Sequence, residues 1–153
     1  MATIKERLDA DLKDAMRARD ELKTSVLRMV KSAVKYKEVE PGASALDDAG
    51  IISVMTTLVK QRRDSVEQYR AGARLDLAEK EEKEIAVIQG YMPQQLSGAE
   101  LVAVIAKGIT EAGAKGPKDM GAVMKIVSGR LKGRAEGKAI SEEVKAQLSK
   151  LPA

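Results

Sequence analysis

Six cationic side chains crowd one stretch near the C-terminus: Lys118, Lys125, Arg130, Lys132, Arg134 and Lys138. Only Asp119 and Glu136 oppose them there. Gly133 and Gly137 bracket Arg134. A helix with a basic end, followed by a glycine turn carrying cations, forms a surface suited to phosphate groups. The distribution of charge agrees. Residues 1–113 hold 18 Lys/Arg against 19 Asp/Glu, and residues 114–153 hold 9 against 4, so a net charge of +5 falls in the last quarter. Such asymmetry points to a polyanionic partner. The plainer alternative is a small helical segment kept soluble by its lysines.

Other residue sets that could do chemistry fare worse. The chain has no Cys and no His, which removes thiolate nucleophiles, imidazole bases, disulfides and almost every zinc pattern. Arg62, Arg63, Arg70 and Arg74 could meet an anion, but on a long helix they read better as solvated, salt-bridging cations. Lys80–Glu84 is almost wholly charged. Adjacent glutamates on a helix point in several directions and do not enclose the paired site that acid/base work needs. Met120 and Met124 read as core fillers. No catalytic residue, metal site or cofactor is expected.

The elements that hold these residues are helices. Phe and Trp are absent, and Leu, Ile, Val, Met and Ala supply the apolar surface, a composition that favours helices over sheets. Thr3 with Glu6 forms a capping box, so a first helix starts near Ile4, with Ile4, Leu8, Leu12 and Met16 on one stripe. Asp20 caps a second helix that ends before Pro41-Gly42. Asp47 caps a third, in which Lys60–Asp64 and Arg63–Glu67 are spaced to pair. Asp76 with Glu79 reads as the capping box of a fourth. Gly90-Tyr91-Met92-Pro93 breaks the chain. Ser97 with Glu100 opens a fifth helix with Leu101, Val102, Ile105, Ala106 and Ile109 inward, ending at Gly113. Pro117 suits the first position of a sixth. Its Gly121 and Gly129 each cost about 1 kcal/mol relative to Ala, which suggests close packing there, or the approach of a ligand's backbone. Ser141 reads as the cap of the last helix.

The expected fold is all-α: an N-terminal four-helix domain (1–95) and a small three-helix C-terminal domain (96–153). No apolar run approaches a membrane span, and the N-terminus lacks a signal-peptide core. A cytoplasmic protein with no membrane partner is the expectation.

Several motifs together resemble the YqeY-like family. They are Leu-Arg-Met-Val-Lys-Ser-Ala at 27–33, Lys-Gln-Arg-Arg-Asp-Ser at 60–65, Tyr-Met-Pro-Gln-Gln-Leu-Ser at 91–97, Lys-Asp-Met-Gly-x-Val-Met at 118–124 and Lys-Gly-Arg-Ala-Glu-Gly-Lys at 132–138. Two details depart from the familiar pattern: Glu136 where Asp is usual, and Asp47-Asp48-Ala49-Gly50 in place of Thr-Asp-Glu-Glu. The resemblance implies a two-part helical protein. It implies a C-terminal part similar to the tail of the B subunit of the glutamine-dependent aminoacyl-tRNA amidotransferase, where that tail helps hold tRNA. A tRNA or other structured RNA thus becomes the expected partner of Lys118, Lys125, Arg130, Lys132, Arg134 and Lys138. Amidotransferase activity, a carbon–nitrogen ligase reaction with glutamine as amide donor, is sometimes attached to such proteins. Glutamine cleavage needs an activated nucleophile, and the serines of this chain lack a strained glycine elbow. Two other readings stand beside RNA binding: a helical adaptor with a protein partner at the N-terminal helices, and an accessory subunit of a larger amidotransferase.

Overall fold

The computed structural model describes residues 1–152. Among them the chain forms seven α-helices and no strand: α1 (Ile4–Arg17), α2 (Glu21–Glu38), α3 (Asp48–Ala71), α4 (Leu75–Gln89), α5 (Gly98–Ala112), α6 (Met120–Leu131) and α7 (Gly137–Ser149). A 3-10 turn, Pro117–Asp119, precedes α6. The chain divides into two compact units, Met1–Met92 and Pro93–Ala153. Among the described residues no helix is long and apolar enough to cross a membrane.

In the first unit, local chemistry sets three helix starts. The Thr3 hydroxyl accepts from the Glu6 amide at 3.1 Å, and the Glu6 carboxylate accepts from the Thr3 amide at 3.0 Å. Asp20 and Asp47 each accept from an amide three residues on. These caps satisfy donors that a helix start leaves open, each stabilising by about 1 kcal/mol. The expected box at Asp76 does not form. Helix α4 starts at Leu75 without a side-chain cap, and the Asp76 carboxylate turns back to the Arg74 guanidinium. Asp76 is already inside the first turn, where ion pairing with Arg74 replaces capping.

Leu8, Leu27, Val30, Ile51, Met55 and Ile88 form the fully buried centre of this unit. Burial of each stabilises by roughly 1.5–3 kcal/mol. Helix α1 inserts Ile4, Leu8 and Ala15. Met16 is 49% exposed, because the 3.6-residue period carries the i, i+4 stripe off the core face by its fourth member. Tyr91 closes the unit: its ring is buried under the Arg7 guanidinium, 5.0 Å from the ring centroid, and its hydroxyl donates to the Asp11 carboxylate.

The second unit packs Ile105 of α5, Val123, Val127 and Leu131 of α6, and Val144 and Leu148 of α7. Ser97 and Glu100 form the reciprocal capping box of α5. Gly113, in the left-handed conformation, ends that helix. Val102 and Ala106 are exposed, since the core face of α5 runs through Ile105, Gly108 and Ile109. Pro117 opens the 3-10 turn rather than α6 itself. Helix α7 begins at Gly137, four residues before the expected cap Ser141, whose hydroxyl instead donates to the Lys138 carbonyl. Glu136, in the extended region, ends the preceding turn and frees the chain to enter α7 early.

Candidate nucleic-acid interface

Helix α6 turns Val123, Val127 and Leu131 to the core. The opposite face is therefore fixed by the helical period. At 100° per residue, Lys125 lies opposite the buried stripe, and Gly121, Ala122, Ser128 and Gly129 surround it, all exposed. Lys125 and Lys132 are seven residues apart, so they fall on one side of α6 about 10 Å apart along its axis, and Lys118 stands on the turn just before the helix. All three are exposed, and none makes an ion pair among the described residues. Lys118 sits on the 3-10 turn and Lys132 caps the C-terminal end of α6. Cations spread from the turn before α6 to its C-terminal end suit a chain of phosphates better than one small anion.

Arg130 does not join this set. It lies at the flank of α6 toward α5, where its guanidinium pairs with the Glu111 carboxylate. Hydrogen bonding to Arg130 holds the Glu111 carboxyl below its usual range.

The turn after α6 is built to a narrow geometry. Lys132 has φ −56 and ψ 122, Gly133 has φ +75, and the Arg134 amide donates to the Leu131 carbonyl at 2.9 Å. This is a type II turn, whose third residue must take positive φ and is therefore usually glycine. Gly137, by contrast, is the first residue of α7, with open space around it. The segment 94–96 braces the turn. The Gln95 side-chain amide donates to the Gly133 carbonyl at 2.6 Å, and the Leu96 amide donates to the Arg134 carbonyl at 2.9 Å. Arg134 sends its Nε toward the Gln94 carbonyl at 3.5 Å. Lys138 projects from the first turn of α7, at the positive end of that helix's dipole. The structure thus sets Lys125 and Lys132 along one face of α6 with Lys118 on the turn before it, places Arg134 in the turn after it and Lys138 in the first turn of α7, and sets Arg130 apart.

Gly121 and Gly129 do not mark close packing. A β-carbon at either would meet nothing within 4 Å. Close packing occurs at Gly108 instead, where a β-carbon would fall 2.5 Å from Val127 Cγ1. The signal for Gly108 lay in its phase: it sits three residues after Ile105 on the buried face of α5. Gln95 had no comparable signal, because its role depends on a backbone carbonyl 38 residues away.

Arg62 and Arg70 of α3 are engaged with α4, and Arg74, just before α4, pairs within it. Arg62, its side chain 15% exposed, faces Glu84 at 3.4 Å and Glu81 at 4.0 Å. Arg70 pairs with Glu82, and Arg74 with Asp76. Burial, then the neighbouring Glu84 carboxylate, pushes the Glu81 carboxyl up from its ordinary value. The charged run 80–84 is thus largely the partner set of the α3 arginines. Lys60 and Asp64 form no ion pair among the described residues.

Comparison with known proteins adds three findings. A family model described as "Yqey-like protein" matches residues 5–148. A protein of Lachancea thermotolerans named "Altered inheritance of mitochondria protein 41, mitochondrial" is 37% identical over 106 residues, covering 68% of this chain and 57% of that protein. Proteins of the same name from Saccharomyces cerevisiae and Vanderwaltozyma polyspora are 37% and 39% identical, over 61% and 56% of this chain and 51% and 46% of their own lengths. The chain spans about half the length of the curated relatives it matches. The expectation of a cytoplasmic protein is corrected by these names: the matching relatives are named as mitochondrial. That no helix among the described residues is long and apolar enough to cross a membrane does not decide a compartment.

Proposed function

The chain belongs to the YqeY-like family, and from that premise we propose that its C-terminal domain (96–153) holds structured RNA, tRNA in the first instance, by the phosphate backbone. The observation that carries this reading is the set of exposed lysines along α6 and the turn before it, Lys118, Lys125 and Lys132, which make no ion pair among the described residues, beside a helix face otherwise made of Gly, Ala and Ser. Side chains that short let a sugar–phosphate backbone approach the helix, and the lysines meet its charge. Arg134 and Lys138 extend the contact past the braced turn, while Arg130 contributes through the net field rather than by direct contact. The domain's residues include no aromatic side chain, so base stacking is not its mode. Recognition is by shape and backbone, salt-sensitive and weakly sequence-specific.

On this reading the protein carries no catalytic centre of its own, and any part in amide transfer is as a holder of RNA beside other subunits. The direct test is a fluorescence titration of the full chain against total tRNA at low salt. Saturable binding that weakens when Lys132, Arg134 and Lys138 are all changed to Ala supports the proposal. Absence of binding at low salt overturns it. A second reading draws on one observation in the N-terminal domain (1–95): Tyr36 is 72% exposed between two shallow grooves on the faces of α2, one toward Leu8 and Ile51 and the other toward Val54 and Leu58. There an amphipathic helix of a protein partner would dock, and its complex would survive nuclease.

A further inference from the structure

We infer that the turn joining α1 and α2 is a binding site for a phosphate group, on the N-terminal unit and independent of the RNA reading. Helix α1 ends in a Schellman motif: the Asp20 amide donates to the Ala15 carbonyl at 3.0 Å, and the Arg19 amide to the Met16 carbonyl at 3.2 Å. The residue that must turn left-handed in this motif is usually glycine. Here it is Arg19, with φ 54. Strain of this kind marks nothing by itself, as α3 shows. That helix ends in the same motif, with Ala73 at φ 59. What separates Arg19 is its surroundings. Its side chain lines a surface pocket together with Arg28, Thr24, Ser25, Met16 and Glu21.

Three features give that pocket its chemistry. First, its two guanidiniums face no carboxylate partner among the described residues. Elsewhere in the unit Arg17, Arg62, Arg70 and Arg74 face carboxylates, and Arg7 covers the Tyr91 ring. Second, Arg28 is steadied at the wall, its Nη2 lying 3.7 Å from Met16 Sδ, which leaves its other donors to the pocket. Third, the hydroxyls of Thr24 and Ser25 make no hydrogen bond among the described residues. Two planar guanidinium forks and two hydroxyl donors match the several acceptor oxygens of a phosphate. Glu21 is the one carboxylate on the lining, and with two arginines the site keeps a net positive charge.

The test uses the full chain at low ionic strength, with inorganic phosphate and adenosine 5′-monophosphate as probes, followed by amide NMR shifts and calorimetry. Saturable shifts confined to residues 16–28, weakened at least tenfold by Arg28→Ala and by Arg19→Gly, are the expected result. Tighter binding of the nucleotide assigns an ester phosphate, and equal affinity assigns the free ion. Ala73→Gly is the control. Both glycine variants relieve a left-handed residue and should melt no lower than the wild type, but only Arg19→Gly should lose binding. No saturable shift at residues 16–28, or binding that survives both arginine changes, overturns the inference.

Discussion

The proposed RNA face makes a quantitative demand on salt dependence. Change Lys118, Lys125 and Lys132 together to Ala. If each lysine meets one phosphate, three fewer counterions are released on binding. The slope of log K against log salt should become shallower by about 2 to 3, using coefficients of roughly 0.7 per phosphate for single strands and 0.9 for duplex. Between 50 and 200 mM salt, the variant should therefore lose roughly 20- to 40-fold less affinity than the wild type loses. The geometry sets the comparison that matters. Arg130→Ala removes one charge from the same domain, but that charge is paired with Glu111 on the flank of α6. It should leave the slope within about half a unit of wild type. The assay is fluorescence anisotropy of labelled tRNA at five or more salt concentrations, with circular dichroism to verify folding. All three lysines are exposed, so the fold should not suffer. An unchanged slope in the triple variant would refute the face, and so would an Arg130→Ala effect as large as that of any one lysine.

Other consequences follow from the same contacts. Gln95→Ala removes the brace on the Gly133 carbonyl and should destabilise the C-terminal unit by about 0.5–1.5 kcal/mol in denaturant titration, while also weakening tRNA binding because the turn carrying Arg134 loosens. Gly108→Ala forces a methyl group against Val127 and should cost about 1–3 kcal/mol before the better helix propensity of Ala is credited. Gly121→Ala and Gly129→Ala face open space and should each stabilise by up to about 1 kcal/mol, yet together weaken tRNA binding if a backbone seats against that face; unchanged binding would show that it does not. Tyr91 has its hydroxyl pKa raised, first by burial and then by the hydrogen bond to Asp11. The folded state thus favours the protonated phenol. The resulting stability is present below the ordinary tyrosine value near 10 and is lost as pH rises above it. Alkaline unfolding followed by circular dichroism should show this loss in the wild type and a flatter profile in Tyr91→Phe.

How much of this was legible in the sequence depended on how local each cause was. The caps at Thr3, Asp20, Asp47 and Ser97 are satisfied within three residues of themselves, and there sequence and structure agree. The helical class follows from composition and period in the same local way. Failures cluster where a nearby charge or a turn competed with the local pattern. Asp76 had the spacing of a cap but found Arg74. Ser141 had the right residue type, but the Gly133 turn and Glu136 let α7 start earlier. The six cations were legible as a group because charge is a property of composition. Their division was not, because Arg130 is set apart by Glu111 on a different helix. The glycines make the same point from the other side. Gly121, Gly129 and Gly108 all stand inside helices, and a sequence shows only that each pays in helix propensity. Which one packs and which ones leave a face bare depends on the phase of α5 against α6, and only Gly108 meets Val127. The bareness of α6 opposite its core is thus a feature of assembly, and it turns a cluster of lysines into a surface that a polyanion can approach.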